Sequence, residues 1–124
     1  MPNTIAFGCP NANAQVPGTF SVSGSYTYTN PNNSVKCTLN YTDAGSVARS
    51  ICRVCIVTEA RTGATWCARF DMSAHLPAAG AILSAAAVLY DTTGTQVAGP
   101  ATKGVVYGAG AADPCTCSGA GSPC

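Results

Sequence analysis

Charge is what this sequence has least of. Only 9% of its 124 residues are Asp, Glu, Lys or Arg, and the formal net charge is +1, whereas an ordinary soluble domain has about 25% charged residues. The six Lys and Arg are dispersed, with none adjacent to another. We therefore expect no basic surface for binding nucleic acid and no electrostatic attraction to an anionic membrane.

Long apolar runs are also missing. The longest are about half of the ~20 residues that a bilayer-spanning helix requires, so we expect no membrane span. The hydrophobic content of 47% includes 21 Ala and 8 Cys, which leaves a small core for a single domain. Much of the surface must be uncharged Ser, Thr, Asn, Gly and Ala, which is unusual for a free cytosolic enzyme.

Residues for acid–base chemistry are scarce as well. His75 is the only histidine, and the five carboxylates are isolated, so no acid–base pair stands out. On a strand Asp71, Ser73 and His75 would share a face, but no Gly-rich elbow or oxyanion site accompanies them. We expect no enzyme, no catalytic residue and no cofactor. A small hydrolase that uses His75 is the weakest alternative.

From Val16 onward, β-branched and aromatic residues alternate with polar ones, which is the period of β-strands. A strand over residues 35–41 and a hairpin around residues 60–63 are the cleanest units. Six hairpin side chains are expected to face the core: Cys52, Val54, Ile56, Trp66, Ala68 and Phe70. Residues 81–90 have the alanines of a helix, but the hairpin-type turn at 91–94 favours a strand.

The strand pattern divides the chain into three parts. About seven short strands at roughly 10-residue spacing predict an all-β, antiparallel sandwich over residues 16–107. Residues 1–15 show no sustained period and are expected to form an irregular N-terminal arm. Residues 108–124 form a Gly/Ala/Cys-rich tail that is too poor in large side chains to pack unaided.

Short motifs within residues 16–107, together with the alternating strand around Cys37, resemble bacterial and phage immunoglobulin-like domains. The motifs are Val22-Ser23-Gly24, Thr62-Gly63-Ala64-Thr65-Trp66 with Phe70, and Leu89-Tyr90-Asp91-Thr92-Thr93-Gly94. Such domains occur in surface adhesins and as head-decoration or fibre modules of tailed phages. The resemblance implies an Ig-like β-sandwich with a binding or scaffolding role and no catalysis. The cysteines and both terminal segments depart from those repeats.

Eight cysteines in so short a chain indicate either disulfides or a metal site. They are Cys9, Cys37, Cys52, Cys55, Cys67, Cys115, Cys117 and Cys124. A C-x-x-C at Cys52 and Cys55 and a C-x-C at Cys115 and Cys117 leave a four-thiolate zinc site as an alternative. Zinc is disfavoured because positions three apart on a strand point to opposite faces. A redox C-x-x-C is disfavoured because no helix follows to lower a thiol pKa.

Disulfides are therefore expected, and the pairing remains open. Cys55 and Cys67 lie on the same outward face of the proposed hairpin and could bridge. Cys37 and Cys52 face inward from successive strands and could link two sheets. The other cysteines could pin the terminal segments to the sandwich or cross-link neighbouring subunits: Cys9, Cys115, Cys117 and Cys124.

The first residues show no basic n-region and no apolar h-region, so we expect no secretory signal. Cysteines that oxidise without secretion fit a protein released by cell lysis, as virus particles are. We therefore expect a non-enzymatic structural protein of a virion surface, such as a phage capsid decoration or cement protein. Its partners would be copies of itself or a major capsid protein. The alternative is a secreted adhesin or extracellular-filament subunit whose leader has been removed.

Overall fold

The structure, a computed structural model, describes residues 4–27, 33–57, 64–91, 93–115 and 122–124. These segments contain nine strands and no helical residue. In chain order the strands are β1 (Thr4–Cys9), β2 (Gln15–Val16), β3 (Thr19–Thr27), β4 (Asn33–Thr42), β5 (Ala48–Val57), β6 (Ala64–Asp71), β7 (Ile82–Tyr90), β8 (Gln96–Tyr107) and β9 (Ser122–Pro123). The prediction of an all-β chain is confirmed.

The strands form two sheets. Sheet A has the order β1-β3-β6 and is antiparallel throughout. Sheet B has the order β2-β8-β7-β4-β5-β9. Its pairs are antiparallel except that β2 runs parallel to β8, so sheet B is mixed. The chain crosses between the sheets five times: to sheet B after β1, back after β2, to sheet B after β3, back after β5, and to sheet B again after β6.

Alternating side chains from both sheets meet in one apolar core. Sheet A contributes Phe20, Val22, Tyr26, Trp66, Ala68 and Phe70. Sheet B contributes, among others, Val35, Cys37, Leu39, Leu83, Ala85, Ala87 and Leu89. Burial of each large apolar side chain stabilises the fold by about 1.5–3 kcal/mol. The predicted inward faces of β4 and β6 are therefore confirmed.

The ambiguous alanine-rich stretch is a strand, as the turn that follows it indicates. Leu83 and Leu89 are buried at the two ends of β7, and buried and less buried residues alternate between them. The turn after β7 is organised by Asp91, whose carboxylate accepts hydrogen bonds from the N–H groups of Thr93 (2.9 Å) and Thr95 (3.0 Å). This turn returns the chain into β8, the antiparallel neighbour of β7.

Strand β5 faces the opposite way to the expectation from the sequence. The β4–β5 register sets Ile51 opposite Leu39 and Cys55 opposite Val35. Directly opposed residues share a face, so Ile51 and Cys55 lie on the inner side, where they pack against the core. Cys52 then lies on the outer side. The expectation was wrong because both faces of this strand carry apolar residues, so alternation does not mark the core side.

Residues 4–9, expected to be part of an irregular arm, form strand β1 instead. It pairs antiparallel with β3, and Ile5 and Phe7 pack against the core. Ile5, Phe7 and Cys9 alternate with exposed residues. This alternation has only three less exposed positions, which is too short to indicate a strand from the sequence. The predicted hairpin turn at residues 60–63 lies outside the described residues, and so does the Thr62-Gly63 part of the motif that includes Trp66. Thr92 of the Leu89–Gly94 motif also lies outside them.

No helix in the described segments has the length and apolar character needed to cross a bilayer.

Candidate functional site

The most distinctive feature of the molecule is a set of disulfides that anchor the C-terminal segment. Cys9, at the end of β1, is bonded to Cys115, and the two residues are 106 positions apart in the sequence. Their Cα atoms lie 5.9 Å apart, and Cys115 is buried. The bond therefore joins the first strand of sheet A to the segment that follows β8.

A carboxylate fixes the same segment to the middle strand of sheet A. Asp113 Oδ1 accepts hydrogen bonds from the backbone N–H of Ser21 (3.1 Å) and from that of Cys115 (3.2 Å). Asp113 Oδ2 accepts a bond from the Ser21 hydroxyl (3.1 Å). Ser21 is completely buried, and its Oγ also accepts a bond from Arg69 Nε (3.4 Å). Asp113 thus satisfies polar groups that burial would otherwise leave unpaired.

The end of the chain is attached to sheet B. Ser122 and Pro123 form β9, which pairs antiparallel with β5 at Val54 and Arg53. Cys124 is bonded to Cys52, with a Cα–Cα distance of 5.5 Å. The C-terminal segment is therefore fixed to sheet A at one point and to sheet B at another. The terminal cysteines were expected either to attach the terminal segments to the sandwich or to cross-link subunits. These two bonds attach the terminal segments within one chain.

Two pairings that the sequence left open as possibilities are not formed. Cys37 and Cys55 are free cysteines, so neither Cys37–Cys52 nor Cys55–Cys67 is formed. The reversed facing of β5 explains the absence of the first, because it puts Cys52 on the outer side of the sheet and Cys37 on the inner side. Cys67 is itself disulfide-bonded, and Cys55 Sγ donates a hydrogen bond to its carbonyl oxygen.

Cys117 lies outside the described residues.

Both free thiols are held in their neutral form. Burial raises the pKa of the Cys37 thiol well above its ordinary value, and the neighbouring Cys55 raises it further. Burial also raises the pKa of Cys55, against a smaller lowering by the positive charge of Arg53. A thiolate is the form that attacks and that binds metal, so neither group is activated in the folded chain.

The zinc alternative has little geometric basis. Cys52 is engaged in a disulfide with Cys124, so the C-x-x-C cannot supply two thiolates. Among the residues that the structure describes, no group of three or more His, Cys, Asp or Glu side chains could hold a metal ion.

The residues weighed for a hydrolase form a turn. Strand β6 ends at Asp71, whose carboxylate accepts a hydrogen bond from the N–H of Ser73 (2.9 Å). The His75 N–H donates to the Met72 carbonyl (2.9 Å), and the His75 carbonyl accepts a bond from the Tyr41 hydroxyl (2.8 Å). Asp71, Ser73 and His75 therefore do not lie together on a strand, and their described contacts stabilise the turn.

Part of the outer side of sheet B is made of small, uncharged residues, and exposed Lys36 lies further along the same side of β4. Asn40 lies between Ser84 on β7 and Ser50 on β5. Ile82, at the start of β7, is 76% exposed, which is unusual for so large an apolar side chain. A shallow groove beside it is lined by Asn40, Tyr41, Thr42, Ala48, Arg49, Ser50 and Ile82.

Sequence reasoning missed Asp113 as an anchor. The available signal was its position: it is the only acidic residue in the tail, two residues before Cys115. A lone carboxylate in a segment of Gly, Ala, Ser and Cys is a reasonable candidate for a specific hydrogen-bond acceptor, but nothing in the sequence identifies Ser21 as its donor.

No family model matches this chain, and no curated protein matches it. The fold and the cysteine framework are therefore the basis for the function proposed below.

Proposed function

We propose that this chain is a non-enzymatic structural protein of a virion surface, a phage capsid decoration or cement protein with an Ig-like fold. The observation that carries the proposal is that disulfides fix the C-terminal segment to both sheets, through Cys9–Cys115 and Cys52–Cys124. Such bonds indicate an oxidising environment. They also suit a small domain that must stay folded outside a cell.

The order of the strands supports the Ig-like part of the proposal. In Ig sandwiches strands A, B, E and D share one sheet, while C, F and G form the other, to which variable-type domains add C′ and C″. By sheet and order, β1-β3-β6 corresponds to A-B-E and β8-β7-β4-β5 to G-F-C-C′. None of the long strands in the described residues takes the place of strand D. One departure is that the buried tryptophan, Trp66, lies on β6, whereas antibody domains have it on strand C.

The surface supports a role in an assembly. A decoration protein must present a face that neighbouring subunits can cover without desolvating many charges, because each buried unpaired charge is costly. The outer side of sheet B meets this requirement around Asn40, Ser50 and Ser84, and Ile82 adds an exposed apolar contact. Copies of the chain or a major capsid protein are the partners proposed for this face.

The test is to look for the chain in purified particles. Particles from the lysate of the producing culture are banded on a density gradient, and antibodies against the chain are used for immunogold microscopy. The proposal predicts label on the capsid and a regular stoichiometry to the major capsid protein. Absence from particles together with presence on cell-surface filaments or in the medium would overturn it, and would favour the adhesin or filament-subunit alternative.

A matched pair of variants locates the binding face. Particles that lack the chain are mixed with purified wild-type protein, Ile82→Asp or Thr4→Asp. Thr4 is exposed at the start of β1 in sheet A, so its variant adds the same charge on the other sheet. We expect Ile82→Asp to bind at least about tenfold more weakly, since burying an unpaired carboxylate opposes docking. Equal binding by both variants would contradict the assignment of this face.

A further inference from the structure

Strand β5 is covered along only part of its outer edge. On the side away from β4 its neighbour is β9, which pairs with it at Arg53 and Val54. Residues 48–51, at the start of β5, form a ladder with β4 and, among the described residues, with no strand on the other side. We call this stretch the open edge. An uncovered strand edge presents backbone N–H and C=O groups in the arrangement that accepts another strand.

The turn between β4 and β5 shows which backbone groups point outward. The Asp43 N–H donates to the Val47 carbonyl (2.9 Å), and these two residues extend the β4–β5 register by one pair. Hydrogen-bonded and non-hydrogen-bonded pairs alternate along an antiparallel ladder, so the odd-numbered residues of β5 are bonded to β4. The N–H and C=O groups of Ala48 and Ser50 therefore point to the open edge.

Strand β9 shows that this edge of sheet B accepts an extended segment. It runs antiparallel to β5 at Val54 and Arg53. Cys124, which follows β9, is bonded to Cys52, and the open edge begins at the next residue of β5. The open edge is thus continuous with an interface that already holds a strand.

The charge at the open edge suits a second copy of the same chain. Arg49 is the only charged residue of residues 48–51, and its Nε lies 2.8 Å from Asp43 Oδ2 of its own chain. Two copies can therefore bring their open edges together without repulsion between uncompensated like charges. By contrast, β8 on the other side of sheet B carries Pro100 and Lys103, residue types that protect a sheet edge from pairing.

We propose that the open edge pairs with the open edge of a second copy, so that sheet B continues from one copy into the other. The two β5 strands lie antiparallel about a two-fold axis, which makes the contact self-complementary. Ala48 of each copy lies opposite Ser50 of the other, and their outward N–H and C=O groups pair. This contact is distinct from the outer face of sheet B, and it does not depend on the virion assignment. Because the paired stretch is short, the dimer is weak and reversible.

Hydrogen exchange of the Ser50 amide tests the proposal on the wild-type protein. Exchange is measured at about 10 μM and about 1 mM chain, with sedimentation equilibrium on the same samples. We expect the Ser50 N–H to exchange at least about threefold more slowly at the higher concentration, because only the dimer protects it. The average mass should rise towards that of two chains. The Met72 N–H, which donates to the Gly18 carbonyl away from the open edge, should exchange equally at both concentrations.

Ser50→Pro and Ser50→Ala are a matched pair of variants. Proline removes the outward N–H and is tolerated at a strand edge, whereas alanine keeps the N–H. Ser50→Pro should remain a monomer at about 1 mM, and Ser50→Ala should associate as the wild type does. Circular dichroism establishes that both are folded. Ala48→Pro, at the first residue of β5, replaces Ser50→Pro if that variant does not fold.

Unchanged Ser50 exchange together with a monomer mass at both concentrations would overturn the proposal from the wild type alone. Association that persists in folded Ser50→Pro would also overturn it. If that association were then lost in Ile82→Asp, the contact between copies would lie on the outer face of sheet B and not at the open edge.

Discussion

Phe7 and Trp66 meet edge to face, with their ring centroids 5.3 Å apart. They lie on the two outer strands of sheet A, and Gly24 on the middle strand is the register partner of both. A Cβ at Gly24 would lie 1.9 Å from the Ala6 carbonyl oxygen and 2.9 Å from Trp66 Cζ2. Glycine at this position therefore allows β1 to close onto the sheet and the two rings to touch.

Gly24→Ala should destabilise the fold. Overpacking typically costs about 1–3 kcal/mol, and because one clash is with backbone we expect the upper end of that range. Urea unfolding monitored by Trp66 fluorescence gives the change in unfolding free energy. Gly104→Ala is the matched control, since a Cβ there meets nothing within 4 Å. Equal losses in the two variants would show that the close approach at Gly24 is unimportant.

Each disulfide should contribute measurably to stability. Removing one by a double Cys→Ser substitution, at Cys9 and Cys115 or at Cys52 and Cys124, should lower the unfolding free energy by about 2–5 kcal/mol. The bonds span 106 and 72 residues, so the chain-entropy part should be nearly equal for the two. Thermal unfolding of the two double variants tests this. A variant with unchanged stability would mean that its bond does not constrain the native protein.

The docking of the C-terminal segment should depend on Asp113. Asp113→Ala removes the acceptor for the buried Ser21 hydroxyl and N–H, and leaving such donors unpaired costs about 1–3 kcal/mol. Asp113→Asn keeps one carbonyl oxygen and should lose less. Hydrogen exchange of the Ser21 amide reports the contact directly and should accelerate most in the alanine variant. Unchanged protection in Asp113→Ala would contradict the role given to this carboxylate.

Three turn carboxylates should make the protein sensitive to acid. They are Asp43, Asp71 and Asp91, and hydrogen bonds lower the pKa of each below its ordinary value. Asp43 accepts from the Val47 N–H and from Arg49. Asp71 accepts from Ser73, and Asp91 accepts from Thr93. A carboxylate with a lowered folded-state pKa stabilises the fold above its unfolded pKa, and this contribution is lost as pH falls through the folded value.

Thermal unfolding as a function of pH tests whether stability falls on acidification. The melting temperature should be level near neutral pH and should fall below about pH 4, where unfolded Asp begins to bind protons. Asp43→Asn, which cannot titrate, should show a shallower fall than wild type. A melting temperature that rises on acidification would show that these carboxylates are strained by repulsion and not stabilised by their hydrogen bonds.

The strands that could be predicted from the sequence have one clearly apolar face. Residues 35–41 alternate strictly, so the core side of β4 follows from the pattern, and the same holds for β6 around Trp66 and Phe70. Strand β5 is apolar on both faces, so its orientation depends on its register with β4 and could not be assigned locally.

The site was less predictable than the strands, because disulfide pairing depends on distances between elements far apart in the sequence. The error at Cys52 followed directly from the reversed β5, and the bond between Cys9 and Cys115 requires the unexpected strand β1. Asp113 acts on Ser21 from 92 residues away, a relationship that no local pattern contains.

The most direct test of this account is the disulfide map of the native protein, because the account depends on both C-terminal anchors being bonds within one chain. Digestion under acidic, non-reducing conditions should give peptides that link Cys9 to Cys115 and Cys52 to Cys124. Alkylation should modify Cys37 only after unfolding. Reduced thiols at Cys9 and Cys124, or the same bonds formed between two chains, would contradict the account.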